Sequence, residues 1–156
     1  MDAVFKKMNF KDSKNIVVIN SPASFEANIN AMQELTTFVH DLSEVDNTDF
    51  ILAFCTKQAE VDAVGVEATV KLESDGLLWF AYPKGTSKKY KCDFNRDTGW
   101  AILGENGFEP VRAVAIDEDW SALRFRRVEN IKKMTRSSAI TEKGKERIGE
   151  SGNRKM

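Results

Sequence analysis

The sequence predicts an α/β domain in three layers, with a mostly parallel sheet between helices and a C-terminal antiparallel hairpin. Three observations carry that expectation. Residues 50–55 (Phe-Ile-Leu-Ala-Phe-Cys) and 77–82 (Leu-Leu-Trp-Phe-Ala-Tyr) are apolar at every position, the pattern of strands buried on both faces inside a parallel sheet. Between them Ala59, Val61, Val64, Ala68 and Leu72 fall on one broad helical face, as a crossover between parallel strands requires. Residues 111–116 and 123–128 are separated only by Asp117-Glu118-Asp119-Trp120-Ser121 and the residue that follows. That linker suits an antiparallel hairpin and is too short for a helical crossover.

In chain order, Ile16-Val17-Val18-Ile19 is a β-branched run and the first predicted strand. Asn20-Ser21-Pro22 ends it with turn chemistry, and Pro22 is suited to open a helix. Phe25, Ile29, Met32 and Leu35 recur at helical spacing, which predicts a helix over 22–34. Residues 36–40, ending at His40, read as a short second strand, and 42–48 as a polar loop. After the strand at 50–55, Thr56 is the expected N-cap of the next helix, with Glu60 in its first turn where the helix dipole favours an acid. Gly76 is the expected stop. A further helix is predicted from near Phe94 to Gly104, closed by Asn106-Gly107. Alternating strands and helices imply right-handed crossovers, hence a Rossmann-like arrangement with an antiparallel addition at one edge.

At 156 residues the chain is expected to form one domain, burying roughly two-thirds of its unfolded surface. The division expected is an N-terminal extension over 1–14, the α/β domain over 15–128 and a basic C-terminal tail over 129–156. No apolar run approaches the roughly 20 residues of a membrane span. The first 15 residues lack the apolar core of a secretion signal. Two cysteines, Cys55 and Cys92, fit a reducing cytoplasm. The net charge of -1 conceals an asymmetry: 11 Lys and Arg stand against 4 Glu from Arg124 onward, and 12 basic against 20 acidic residues before it. A basic tail of this kind either meets an acidic surface, on a partner or on its own body, or is solvated.

Ligands of open α/β sheets bind at the carboxyl ends of the strands. There, beyond the strand at 77–82, stand Lys84, Gly85, Thr86, Ser87, Lys88, Lys89 and Lys91, with Arg96 further on. Ammonium groups and loop N–H groups of this kind suit a phosphate or carboxylate, although the spacing is not that of a P-loop; a solvated lysine loop is the alternative. Asp93 is expected to cap the helix near Phe94 and to offset part of that positive potential. His40 and Cys55 each end a predicted strand and so form a candidate thiolate pair. The alternative is a buried Cys55 acting as a small apolar residue. No catalytic residue is assigned. Asp117, Glu118 and Asp119 are read as turn residues that bond their own backbone, and one histidine with two distant cysteines assembles no zinc site. Trp79, Trp100 and Trp120 read as core and hairpin anchors.

The order of elements resembles the class I methyltransferase fold, most closely in its second half of strand, helix, strand, helix and terminal hairpin. Residues 70–78, Val-Lys-Leu-Glu-Ser-Asp-Gly-Leu-Leu, look like that fold's passage from helix into its fifth strand. After the first strand those enzymes carry a glycine-rich loop that admits the methionine part of the cofactor. Here the position reads Asn20-Ser21-Pro22-Ala23-Ser24-Phe25, which implies a core without its cofactor, and none is expected. A closer resemblance is to an uncharacterised bacterial family, domain of unknown function 3052. It rests on Ile19-Asn20-Ser21-Pro22, on residues 78–84 (Leu-Trp-Phe-Ala-Tyr-Pro-Lys) and on residues 117–125 (Asp-Glu-Asp-Trp-Ser-Ala-Leu-Arg-Phe). The resemblance implies a fold and a bacterial setting and brings no catalytic residues. Three functions follow as expectations. The first is a non-catalytic binding or regulatory domain; the second, an enzyme acting on an anionic small molecule at the loop 84–91. The third is an interaction module whose tail contacts nucleic acid or an acidic protein.

Overall fold

The computed structural model describes residues 1–94 and 97–131. A six-stranded sheet runs in the order β2-β1-β3-β4-β6-β5, where β1 is Asn15–Ile19, β2 Thr37–Val39, β3 Thr48–Phe54, β4 Leu72–Pro83, β5 Phe108–Ala115 and β6 Trp120–Arg127. The first four strands pair in parallel, and β6 pairs antiparallel with both β4 and β5. The hairpin therefore enters through its second strand, leaving β5 as the edge. Pro110 lies there beside a register shift, and an edge strand tolerates a residue without an N–H. Gly107, at a φ of 83°, turns the chain into β5 in a conformation that side chains disfavour.

One face of the sheet is covered by the N-terminal segment and the short helix α2 (Glu26–Asn30). Phe5, Met8, Phe25, Phe50, Phe54, Trp79 and Trp120 are all buried there. The segment 1–14, read from sequence as an extension, thus supplies two of the most completely buried side chains. It begins with helix α1 (Ala3–Lys7), capped by Asp2 Oδ2 accepting from Val4 N and Phe5 N at 3.0 and 3.1 Å. Trp79 Nε1 donates to the Met8 carbonyl at 3.1 Å, so the central strand is both packed and hydrogen-bonded to this segment.

The other face is covered by helix α3 (Gln58–Lys71) and helix α4 (Ala101–Glu105). Val61, Ala68, Leu103, Phe80, Trp100 and Phe125 are buried between them and the sheet. Trp100 packs against Phe80, Tyr82, Phe94 and Phe125. It is thus a core anchor, as are Trp79 and Trp120.

Three expected elements differ. The helix over 22–34 is a 3-10 turn at Ala23–Phe25 followed by five α-helical residues. Asn28 and Asn30 weaken a longer helix because their amides bond elsewhere: Asn28 Nδ2 donates to Asp2 Oδ1, and Asn30 Oδ1 accepts from Gln33 Nε2. α3 does not run to Gly76 but ends at Lys71, and Leu72 passes directly into β4. Arg127 fixes that junction by donating to the carbonyls of Leu72, at 2.6 Å, and of Ser74. Of the helix expected over 94–104, only its end is helical: α4 starts at Ala101. The Gly99 carbonyl before it accepts instead from Gln58 Nε2 at 2.8 Å. Arg96 and residues 132–156, most of the predicted basic tail, lie outside the described residues. Among the described residues no helix is long and apolar enough to cross a membrane.

Candidate functional site at the carboxyl edge of the sheet

β1 is connected to β2 on one side and β3 to β4 on the other. The carboxyl ends of β1 and β3 therefore flank the topological switch point, where α/β sheets bind ligands. The chain leaves β1 at Asn20 with a φ of 57°, a left-handed conformation that asparagine tolerates better than most residues. The chain leaves β3 through Cys55 and Thr56 into the first turn of α3.

The groups around this point are already matched to one another. Glu60 turns its carboxylate back over the start of α3. Its Oε1 accepts from Thr56 N at 2.9 Å, from Lys57 N at 3.1 Å and from Thr56 Oγ1 at 3.3 Å. Its Oε2 accepts from Asn20 Nδ2 at 3.3 Å, joining the turn after β1 to the helix after β3. Gln58 N is bonded by Asp93 Oδ1 at 2.7 Å. Asp93 was expected to cap a helix near Phe94; it caps α3 instead. Two carboxylates of the chain thus occupy donors that in this fold class would be offered to an anion. The expected Thr56 cap has moved by one residue to Lys57, and the cap interaction comes from Glu60.

The lysine loop lies to one side of this point. Lys84 N donates to the Asp119 carbonyl at 2.8 Å, and Ser87 Oγ donates to Asp119 Oδ1 at 2.8 Å. Tyr90 N donates to Ser87 Oγ, and the Tyr90 ring lies 4.9 Å from that of Trp120. The loop is therefore laid on the turn between β5 and β6. That turn is built as its sequence implied, Asp117 Oδ1 accepting from Asp119 N and Trp120 N at 2.8 and 2.9 Å. Lys84 is half-buried and Gly85, Thr86, Lys88 and Lys89 are exposed. Among the described residues none of these lysines forms an ion pair.

His40 and Cys55 do not meet. β1 lies between their strands, which sets the strand ends about 10 Å apart. The exposed imidazole places Nδ1 3.2 Å from the Val18 carbonyl. Cys55 is 1% exposed, and burial, reinforced by the negative charge of Glu60, pushes its thiol up to about 12. A neutral thiol is a poor nucleophile. Neither cysteine forms a disulfide among the described residues, and no three His, Cys, Asp or Glu side chains group there to hold a metal.

Sequence reasoning missed the Asn20–Glu60 bridge, although Glu60 four residues after Thr56 is a visible capping signal. It missed a second feature entirely. A cavity of about 1040 Å³ opens at the opposite, amino edge of the sheet around Asp49, Gly76 and Arg124.

Strand order and layering define a Rossmann-like domain of the class I methyltransferase fold. The chain is similar to the N-methyltransferase NodS from Bradyrhizobium japonicum WM9, at 13% identity and a TM-score of 0.50. That match covers 80% of this chain and 91% of that one. It is similar also to the pyocyanin biosynthetic protein PhzM (12%, TM-score 0.52, 77% of this chain and 52% of that one). TrmN from Thermus thermophilus is a third neighbour (10%, TM-score 0.51, 81% and 47%), so the chain spans about half the length of these two. At such identities the likeness is one of fold. No family model and no curated protein sequence matches the chain.

The fold class brings S-adenosylmethionine into question, and the residues present do not fit it. The turn after β1 carries no glycine over residues 20–25; Phe25 within it is buried in the core. Glu60 is hydrogen-bonded to Asn20, in the turn where the glycine-rich loop would admit the methionine part of the cofactor.

Proposed function

We propose that the chain is a non-catalytic binding or regulatory domain built on a methyltransferase-like core. One observation carries the reading: at the switch point the N–H groups of Thr56, Lys57 and Gln58 are met by Glu60 and Asp93, and Glu60 is tied to Asn20 after β1. A cofactor seated there would have to displace these partly exposed bonds, each worth about 0.5–1.5 kcal/mol net. The ligand that suits this reading is an anionic small molecule at the loop 84–91. Lys84 and Lys88 make the main contacts, Gly85, Thr86 and Lys89 add backbone or side-chain donors, and Ser87, whose hydroxyl and N–H are bonded to Asp119 and the Lys84 carbonyl, shapes the loop. Lysines that form no ion pair among the described residues, on a loop fixed by Asp119, support that choice, and such binding weakens as salt rises. The resemblance at residues 117–125 to the bacterial family of unknown function, and two cysteines that form no disulfide among the described residues, agree with a small intracellular bacterial protein.

Titration calorimetry with S-adenosylmethionine tests the first part: no saturable heat is expected, and micromolar affinity would make the domain a methyltransferase candidate instead. Phosphate titration followed by NMR tests the second. Shifts at residues 84–89 should vanish in a Lys84→Ala, Lys88→Ala double variant; shifts that persist unchanged leave the loop a solvated connection.

A further inference from the structure

The amino edge of the sheet is interrupted where β3 and β4 meet. Thr48 pairs with Leu72, and the next pair is Phe50 with Leu77. β4 therefore pushes out Glu73, Ser74, Asp75 and Gly76 against the single residue Asp49. Strand bulges re-aim side chains and recur beside binding sites. This one is held from β6 by three arginines. Arg127 donates to the Ser74 carbonyl. Arg126 binds Asp75 through Nε and Nη2, at 2.8 and 2.5 Å. Arg124 reaches the same carboxylate only at 3.8 Å. Ser74 at a φ of 39° and Asn9 at 70° are two of the three non-glycine residues with positive φ among those described, and both line the cavity. Asn9 is held in place by Arg112 Nη1, which donates to its Oδ1 at 2.8 Å.

Arg124 is only loosely paired: among the described residues its one ion pair is the 3.8 Å contact with Asp75. Its side chain is 13% exposed, and its Nε is buried with no hydrogen-bond partner. That Asp75 carboxylate is already bound by Arg126. A buried charge in that position is costly unless something completes its pairing. The rest of the lining has the opposite character. Asp12, Asp49 and Glu73 surround the opening with only Lys11 added to Arg124. This rim repels a polyanion, and its acids are too dispersed to group as a metal site.

We infer that this groove binds a small zwitterion, with its carboxylate on the exposed edge of the Arg124 guanidinium and its ammonium toward Asp49 and Glu73. Arg124 supplies a planar fork suited to a carboxylate, and the acidic rim selects a ligand that also carries positive charge. Bulge, cavity and incompletely paired arginine coincide at one place, and the site is independent of the lysine loop at the other end of the strands.

The test is an amide NMR titration of the full chain with glycine, 4-aminobutyrate and 6-aminohexanoate, against acetate and butylamine as single-charge controls. Saturable shifts at Asn9, Ser74, Asp75 and Gly76 are expected with at least one zwitterion, roughly tenfold tighter than with either control. Arg124→Gln should weaken that binding about tenfold or more, and Arg124→Lys less. Because Arg124 is partly buried, the exposed Glu73→Gln, combined with Asp49→Asn, gives a second arm: it should erase the preference over acetate while leaving the fold intact. Absence of saturable shifts up to about 10 mM overturns the inference. So does equal binding of acetate, binding that survives Arg124→Gln, or a preference that survives the acid-neutralising pair.

Discussion

At the carboxyl edge of the sheet the donors freed by the start of α3 are met by Glu60 and Asp93; at the amino edge Arg124 keeps a buried nitrogen that no described residue meets. The same strands run through both edges, so the difference lies in how each end is finished. A short connection from β3 into α3 brings Glu60 back over its own backbone. The passage from α3 into β4 has no such return and instead throws out a four-residue bulge clasped by arginines from β6. The fold class puts ligands at the first place. In this chain several donors there are bonded internally to Glu60 and Asp93, and open space with incompletely matched charge lies at the second. Architecture sets where a site can form; satisfaction of polar groups sets which of those places stays available.

Breaking the wall of the amino edge should have the largest effect. Phe5 is fully buried against Phe25, Phe38 and Phe50, and its helix leads into Asn9, Lys11, Asp12 and Ser13 of the cavity. Phe5→Ala is expected to destabilise by about 4 kcal/mol, measured by urea unfolding. A loss near zero would mean that residues 3–10 are not part of the folding unit.

Filling the bulge comes next. A Cβ at Gly76 would stand 2.9 Å from the Glu73 carbonyl oxygen and 3.0 Å from that of Asp49. These are backbone atoms that cannot turn aside. Gly76→Ala should therefore cost about 2–3 kcal/mol and shift the amide signals of residues 73–77. An unchanged spectrum would show that the bulge is looser than its geometry implies.

The carboxyl edge should respond less. Glu60→Ala removes four accepted hydrogen bonds, but water can reach the partly exposed turn, so about 1–2 kcal/mol is expected. If the two edges differ as argued, this variant also opens the switch point. An affinity for inorganic phosphate gained at Thr56 and Lys57 by NMR would sharpen the comparison, and no gain would weaken it.

The smallest effect is electrostatic. The hydrogen bonds from Arg126, then its charge and that of Arg124, hold the Asp75 carboxyl below its usual range. A depressed folded value means that the stabilisation is present above the unfolded carboxyl value of about 4 and is lost as pH falls through the folded one. Melting temperature should therefore decline below about pH 4 more steeply in the native chain than in Asp75→Asn. Parallel curves would show that the Arg126 clasp contributes nothing to the bulge.

Much of this protein was legible from residue pattern alone. The apolar runs at 50–55 and 77–82 identified the two central strands, because a strand covered on both faces has no polar side to show. The short linker at 117–121 identified the hairpin, and its Asp117 bonds its own backbone as turn chemistry requires. Pattern could not reveal that the first ten residues complete the core, since Val4, Phe5, Met8 and Phe10 are spaced among lysines and make sense only once Trp79 lies beneath them. Nor could it separate a helix stop from a strand bulge at Glu73-Ser74-Asp75-Gly76. Polar residues ending in glycine serve both, and the choice was made by Arg126 and Arg127, more than fifty residues away in the chain. The partners of Glu60, Asp93 and Arg124 were likewise fixed by tertiary packing, because a charge is matched by whatever the fold brings within hydrogen-bond reach.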